Sequence, residues 1–349
     1  MGFLGKLAKI SSLGAVFMPG WMVHLLNPRR DTYRGAVIDP KAFAVGRLAS
    51  QIRDSSVLPT VAESRVQMQK LVDRLDRKGP AIAQTNDMMI DGADGPVRAR
   101  LYSDRPNSRH PGPAMVFYHG GGFMQGDLES HHQTCRKFAK WWGGVIISVD
   151  YRLAPEHVFP AGVDDAIAAF RWVAANAATL NINPAQIGVC GDSAGGSFAA
   201  VVAQQMRSNG GPVPRFQVLI YPVTDGNLNS RSLDELTDAY VLPKNRMQWY
   251  RDLYAGDLKD FSDPKFSPLL AKDFAGLPDS YIVTGGFDPL ADDGANFAAK
   301  LQDAGVNVTH RHFPGQVHAF VNLTKVIPQG TQALQEISDW LRTTCPPQN

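Results

Sequence analysis

Ile187-Gly188-Val189-Cys190-Gly191-Asp192-Ser193-Ala194-Gly195-Gly196 decides how this chain folds. Ile187 to Cys190 is a short apolar run, the composition of a strand buried on both faces. Gly195 to Ser208 has the spacing of a helix. Between them lies a Gly-x-Ser-x-Gly turn. A turn that tight strains the serine backbone and brings strand and helix close together, so the flanking residues must be small. Gly191, Gly195 and Gly196 meet that demand, and Ser193 becomes a candidate nucleophile. The pattern alone is common; its place between a strand and a helix gives it weight.

Working upstream, Ala114 to Tyr118 is another short apolar strand, and His119-Gly120-Gly121-Gly122 follows it directly. Glycines let a backbone turn its N–H groups inward, which is what a negatively charged tetrahedral intermediate requires. Gly121 and Gly122 are therefore expected to donate to an oxyanion, with Ala194 as a third donor. Phe123 and Asp192 border these turns and are expected at the substrate pocket.

Downstream, a serine needs an imidazole to take its proton and a carboxylate to hold that imidazole. Two late strands offer them. Tyr281 to Thr284 is followed by Gly285-Gly286-Phe287-Asp288, and Val306 to Phe313 by Pro314-Gly315-Gln316-Val317-His318. Both loops follow strands at the end where α/β sheets place ligands. Asp288 and His318 complete the order Ser, acid, His. Asp292 and Asp293 read instead as acidic residues at a helix start. His310 and His312 sit on the strand itself, and His131-His132 comes too early and before a helix.

The remaining pattern supports an α/β architecture. Met88 to Ile90 and Val97 to Tyr102 read as a hairpin around Gly92 and Gly95, and Val145 to Val149 and Val218 to Tyr221 as further strands. Helices are expected over Ala161 to Asn176 and Ala291 to Ala304, with Ile337 to Leu341 inside a last one. Such alternation gives βαβ units and a mostly parallel sheet with an antiparallel edge from the hairpin. Two intervals lack strands. Residues 1–85 read as a helical cap region, with a helix from Asp54 to Lys78, and about 224–275 as an insertion suited to a lid within a catalytic domain of 86–349.

The chain's 349 residues are 44% hydrophobic and 19% charged, enough to build a large core. A net charge of +2 and the absence of any basic run interleaved with aromatics argue against nucleic acid as a partner. Cys135, Cys190 and Cys345 are sparse and odd in number, which fits a reducing, cytoplasmic setting; Cys190 reads as core. No histidine and acidic spacing suits a metal, and no cofactor is expected. Met1 to Leu26 is apolar but broken by Lys6, Lys9 and Pro19-Gly20, too interrupted to span a bilayer as one helix. Lys6 stands where a myristoylation signal wants Ser or Thr. The segment reads first as part of the cap, second as a weak interfacial membrane contact, and last as a cleaved signal.

The motifs His119-Gly120-Gly121-Gly122, Tyr151-Arg152-Leu153-Ala154-Pro155-Glu156, Gly191-Asp192-Ser193-Ala194-Gly195-Gly196 and Asp288-Pro289-Leu290, followed by a late His318, come in the order found in one family. Over about residues 85 to 345 the chain resembles the hormone-sensitive-lipase-like branch of bacterial carboxylesterases, with an α/β-hydrolase fold and a helical cap. The resemblance implies Ser193 as nucleophile, Asp288 as acid, His318 as base, and Gly121, Gly122 and Ala194 as oxyanion donors. It implies hydrolysis of small esters of short to medium chain length, and homodimers are common in such families. Arg152 and Glu156 are expected in a buried ion-pair network. Two residues depart from the pattern: Ala291 stands where the family usually has Arg, and Ala319 where it often has Gly. An amidase, lactonase or carbamate hydrolase would use the same three residues, because leaving-group geometry decides between them. A non-catalytic small-molecule receptor on this fold would typically have lost Ser193 or His318.

Overall fold

The computed structural model describes residues 13–53, 57–105 and 110–347; readings that fall on residues 1–12 lie outside the described part. Eight strands form the central sheet: β3 (Gln84–Gly92), β4 (Gly95–Ser103), β5 (Gly112–Tyr118), β6 (Val145–Asp150), β7 (Ile182–Asp192), β8 (Phe216–Ile220), β9 (Asp279–Phe287) and β10 (Val308–Val317). Their order is β10-β9-β8-β7-β5-β6-β4-β3. From β10 to β6 all neighbours are parallel; β4 runs antiparallel to β6 and pairs with β3 as the expected hairpin.

Helices cover both faces, which is why the inner strands are apolar on both sides. Ala114, Val116 and Tyr118 of β5 pack with Val163 and Phe170 of α5 (Ala161–Ala175) and Phe198 of α6 (Ala194–Ser208). Met115 and Phe117 of the same strand face the other way, toward Phe138 of α4 (His132–Trp142) and Leu334 of α10 (Pro328–Thr344). Strands β7 and β10 are longer than their apolar runs suggest. Each resumes pairing beyond a register shift, Ile182 with Gly112 and Val317 with Phe287, and β10 so carries the chain to Val317, with His318 leaving the strand at its end.

The N-terminal region holds α1 (Gly20–Leu26), α2 (Pro40–Ile52) and α3 (Val61–Leu75). It also holds a small hairpin that corrects the expectation of a strandless region, β1 (Thr32–Tyr33) against β2 (Ala36–Val37). Two-residue strands are too short for alternation to reveal; the turn at Arg34-Gly35, both at positive φ, is the only local signal. Helix α3 begins later than Asp54 because Thr60 and Glu63 form a capping box that fixes its start.

The insertion contributes α7 (Arg231–Glu235) and α8 (Lys244–Ala255). The two strandless intervals touch each other. Tyr33 donates to Glu235 at 2.6 Å, Arg53 donates to the Tyr240 carbonyl at 3.1 Å, and the Phe43 and Tyr240 rings meet edge to face. Helix α3 also reaches the loop after β5: Ser64 donates to Gln125 at 2.6 Å and Arg65 to the Met124 carbonyl at 2.8 Å. Helix α9 (Ala291–Asp303) follows the Asp288 loop.

Candidate active site

Strand β7 ends at Asp192 and α6 begins at Ala194, leaving Ser193 alone at the turn with φ 54° and ψ −118°. A non-glycine residue held there is strained, and surrounding structure has to over-determine it. Here the Ser193 N–H donates to the Ile220 carbonyl of β8 at 2.8 Å. A side chain at Gly195 would overlap the Tyr118 carbonyl, so the close passage of helix and strand requires glycine there.

The turn brings Ser193 to His318. Ser193 Oγ and His318 Nε2 are 3.0 Å apart, and His318 Nδ1 lies 2.8 Å from Asp288 Oδ2. Asp288 is fully buried, and its other oxygen accepts the Leu290 N–H at 2.9 Å. That second bond fixes the carboxylate in the plane the imidazole needs. The Tyr221 ring packs 4.6 Å from the His318 ring and narrows the rotations open to it. No motif marks Tyr221; it is the residue after β8, and its part emerges only when β8 and β10 are seen on either side of β9. Ala319, after His318, sits in the left-handed region at φ 62°, the conformation that glycine would take without cost.

The glycine loop lies at the end of β5 beside Ser193. Gly121 has φ 132°, and a side chain on it would overlap the Gln125 carbonyl. The loop is tied to the serine turn by Asp192, whose carboxylate accepts the Gly120 N–H at 2.8 Å and Asn322 Nδ2 at 2.9 Å. His131 Nε2 stands 3.0 Å from the same carboxylate. This opposes desolvation, and the Asp192 pKa lies below the usual carboxylate value. Asp192 is therefore corrected from a pocket residue to an internal tie: an ionised group this deeply buried must be spent on fixed donors. His131, set aside in the sequence for its early position, is one of those partners. Phe123 is corrected likewise. Its ring stacks on Tyr254 at 4.1 Å and packs against Phe198, inside the core.

His119 is buried and stacked on Tyr151 at 4.3 Å; burial first, and then His131, push its pKa down to about 4. A histidine that stays neutral suits a structural role under the loop. His310 and His312 both meet the Thr284 hydroxyl at 2.9 Å, on one face of the sheet, and that hydroxyl, not Ser193, is their partner. Arg152 and Glu156 do not form one network. Arg152 pairs with buried Asp165 at 2.8 Å, while Glu156 is half exposed and pairs with Arg65 of α3. Two residues point apart here because a turn separates them.

Asp292 and Asp293 do more than face a helix dipole. Asp292 accepts Arg34, which also reaches Glu235, so a guanidinium does arrive beside Ala291, though from the N-terminal hairpin. Asp293 is buried and accepts the N–H groups of Thr224 and Asp225 at 2.9 and 3.2 Å, at the start of the insertion. Over the glycine loop, Tyr250 of α8 lies so close that a side chain at Gly122 would meet its ring at 2.5 Å. Leu228, Leu242, Met247 and Leu290 form a small apolar cluster beside it.

Burial pushes the Cys135 and Cys190 thiols well up, and all three cysteines are free. Among the described residues, no group of three or more His, Cys, Asp or Glu could hold a metal, and no helix is long and apolar enough to cross a membrane.

The sequence pattern of the alpha/beta hydrolase fold family matches residues 115–322. Esterase LipI of Mycobacterium tuberculosis is 41% identical over 249 residues, covering 71% of this chain and 78% of the relative. Carboxylic ester hydrolase LipN of the same organism is 38% identical over 289 residues, covering 81% and 76%. Among solved structures, an ester-hydrolase from the metagenome of Lake Arreo, complexed with a derivative of bipyridine phosphonate, is similar with a TM-score of 0.84 and 37% identity over 88% of this chain and 99% of that one. The chain belongs to the α/β-hydrolase family, in its hormone-sensitive-lipase-like branch of carboxylesterases.

Proposed function

We propose that the chain hydrolyses small carboxylic esters by acyl transfer through Ser193. The observation that carries this reading is the unbroken line from Asp288 Oδ2 through His318 to Ser193 Oγ, with separations of 2.8 and 3.0 Å. Ser193 Oγ attacks the ester carbonyl while His318 Nε2 takes its proton. Asp288 holds the Nδ1 proton and stabilises the imidazolium. The carbonyl oxygen, now negative, is met by the N–H groups of Gly121, Gly122 and Ala194. The intermediate collapses, the C–O bond breaks, and His318 returns the proton to the departing alcohol. Water then repeats the cycle on the acyl-enzyme, releasing the acid and the free serine.

The helices before residue 86 and the insertion at 224–275 serve as a cap over this site. The Tyr250 ring against Gly122 and the cluster around Met247 and Leu290 support a confined, apolar pocket and hence short to medium acyl chains. The test is turnover of p-nitrophenyl esters from acetate to palmitate, with Ser193→Ala as the reference. The expected result is a maximum at short chains and a loss of several powers of ten in the variant. A maximum at long chains would overturn the confined pocket. No turnover of any ester by the unaltered chain would overturn the esterase reading.

A further inference from the structure

The first thirty residues contain Lys6, Lys9, Arg29 and Arg30 and no aspartate or glutamate. Among the described residues, helix over 13–17 is followed by α1, on either side of Pro19. Each piece is divided the same way. Val16 and Val23 are fully buried in the core cluster that includes Ala42 and Val45 of α2. On the outside stand Leu13 and Phe17 in the first piece and Trp21 and Leu25 in the second, with Trp21 and Leu25 69% and 70% exposed. Exposed aromatic and aliphatic side chains grouped in this way on a docked segment are not explained by packing. Arg29 is exposed beside them, and the Lys325 ammonium stands 5.7 Å from the Phe17 ring.

We infer that residues 13–30 are a contact for an anionic lipid surface, with Phe17, Trp21 and Leu25 entering the headgroup boundary and Arg29 and Lys325 meeting lipid phosphates and carboxylates. Three features select a bilayer over a second copy of the chain. The charge of residues 1–30 is of one sign, the acid that follows, Asp31, being taken up by the Tyr240 hydroxyl, and such a segment would repel itself across a two-fold interface. Tryptophan is a side chain favoured at the water–lipid boundary. The segment is docked through its inner face, so the outer one can enter a membrane without unfolding anything.

The experiment is flotation of the full chain with vesicles of phosphatidylcholine alone and with vesicles in which phosphatidylserine replaces part of it. Binding to the second and not the first, weakened by salt, is the expected result. Phe17→Ser with Trp21→Ser and Leu25→Ser should weaken that binding about tenfold or more, in a protein whose circular dichroism and unfolding midpoint show the fold intact. Should the triple variant not fold, Arg29→Glu with Lys325→Glu leaves the apolar face whole and should weaken binding about tenfold at low salt. The proposal is overturned if the unaltered chain floats with neither vesicle, or if the folded variants bind as well as it does. It is also overturned if the triple variant turns a dimer into a monomer in sedimentation while neither protein binds vesicles. The binding readout does not depend on which bond the enzyme cleaves.

Discussion

The floor of the site and the cover above it are held by different kinds of interaction. On the floor, Asp288, His318 and Asp192 are buried, and the bonds that hold the two carboxylates join groups shielded from water. In the cover, Arg34 with Glu235, Arg65 with Glu156 and Lys244 with Asp234 are ion pairs whose members are a quarter to more than half exposed. A charge-assisted bond in a dry site keeps its full strength, whereas a wet pair is screened and pays side-chain entropy to form. The reacting groups thus sit where displacement is costly. The parts proposed to cover the site sit where it is cheap. Some buried groups cross the boundary, among them Ser64 to Gln125, Ser232 to the Pro289 carbonyl, and Asp293, which anchors the first residues of the insertion to α9.

The largest effect is expected on the floor. Asp288→Asn keeps the shape of the side chain but removes the charge that fixes the imidazole tautomer, and kcat for a short ester should fall on the order of 10⁴-fold. KM should move little, because the acid does not touch substrate. A fall of less than tenfold would mean that packing, chiefly the Tyr221 ring, orients His318 without the carboxylate.

Asp293 tests the boundary through pH. Burial pushes its pKa up to about 7, against which its two backbone donors work. The folded value is above the unfolded one, so the protonated form is favoured in the folded chain. Its contribution is complete below the unfolded pKa near 4 and is lost as pH rises through about 7. Relative to Asp293→Asn, the unaltered chain should lose roughly 2–3 kcal/mol of stability between about pH 5 and pH 8. Urea unfolding of both proteins at the two pH values measures it. Parallel behaviour would show that the carboxylate stays ionised at the boundary.

Much of this was legible in the sequence, and for a physical reason. Ser193, Asp288 and His318 each follow a strand, and strands carry a strong apolar signal, so the loops behind them could be placed in order. The glycines were legible because no other residue fits those turns. What supports the site was not. Tyr221 and His131 act through contacts made across the sheet and around a helix, and nothing local in their neighbours announces them. Asp192 and Phe123 were assigned to the pocket because they adjoin pocket residues in sequence. At a sharp turn, adjacent side chains point to opposite sides, and both went inward. The β1/β2 hairpin was too short for any periodicity, and β7 and β10 outran their apolar runs because pairing with neighbours, not composition, sets where a strand stops.

Asp192 gives a third, smaller effect. Asp192→Asn still offers an oxygen to Gly120 but removes the charge facing His131, so the glycine loop should lose register with Ser193 without coming free. Hydrogen bonds to a charged group are worth roughly 1.5–3 kcal/mol, which corresponds to a tenfold to hundredfold loss. The loss belongs in kcat, with KM unchanged, since the loop matters most once the oxyanion forms. Binding of a phosphonate inhibitor, whose tetrahedral oxygen stands in for that oxyanion, should weaken in parallel. If KM rises instead, Asp192 shapes ground-state binding and the floor is less rigid than its burial suggests.

The smallest effect is expected where the cover is pinned by Arg34. Its guanidinium reaches Asp292 at 2.6 Å and Glu235 at 2.9 Å, joining the N-terminal hairpin to α7 of the insertion and to α9 behind Asp288. Three elements meet at one side chain, yet that side chain is 37% exposed. Water competes for every one of its bonds. Arg34→Ala should therefore shift the unfolding midpoint by no more than about 2 °C, while KM for short esters rises about twofold to threefold as the cover is held less firmly. The discriminating variable is salt. At about 1 M, where the Debye length falls to roughly 3 Å and an exposed pair is largely screened, the unaltered chain should behave like the variant. A difference that survives high salt would place this pair with the floor, and the division between a dry site and a wet cover would have to be redrawn at α7.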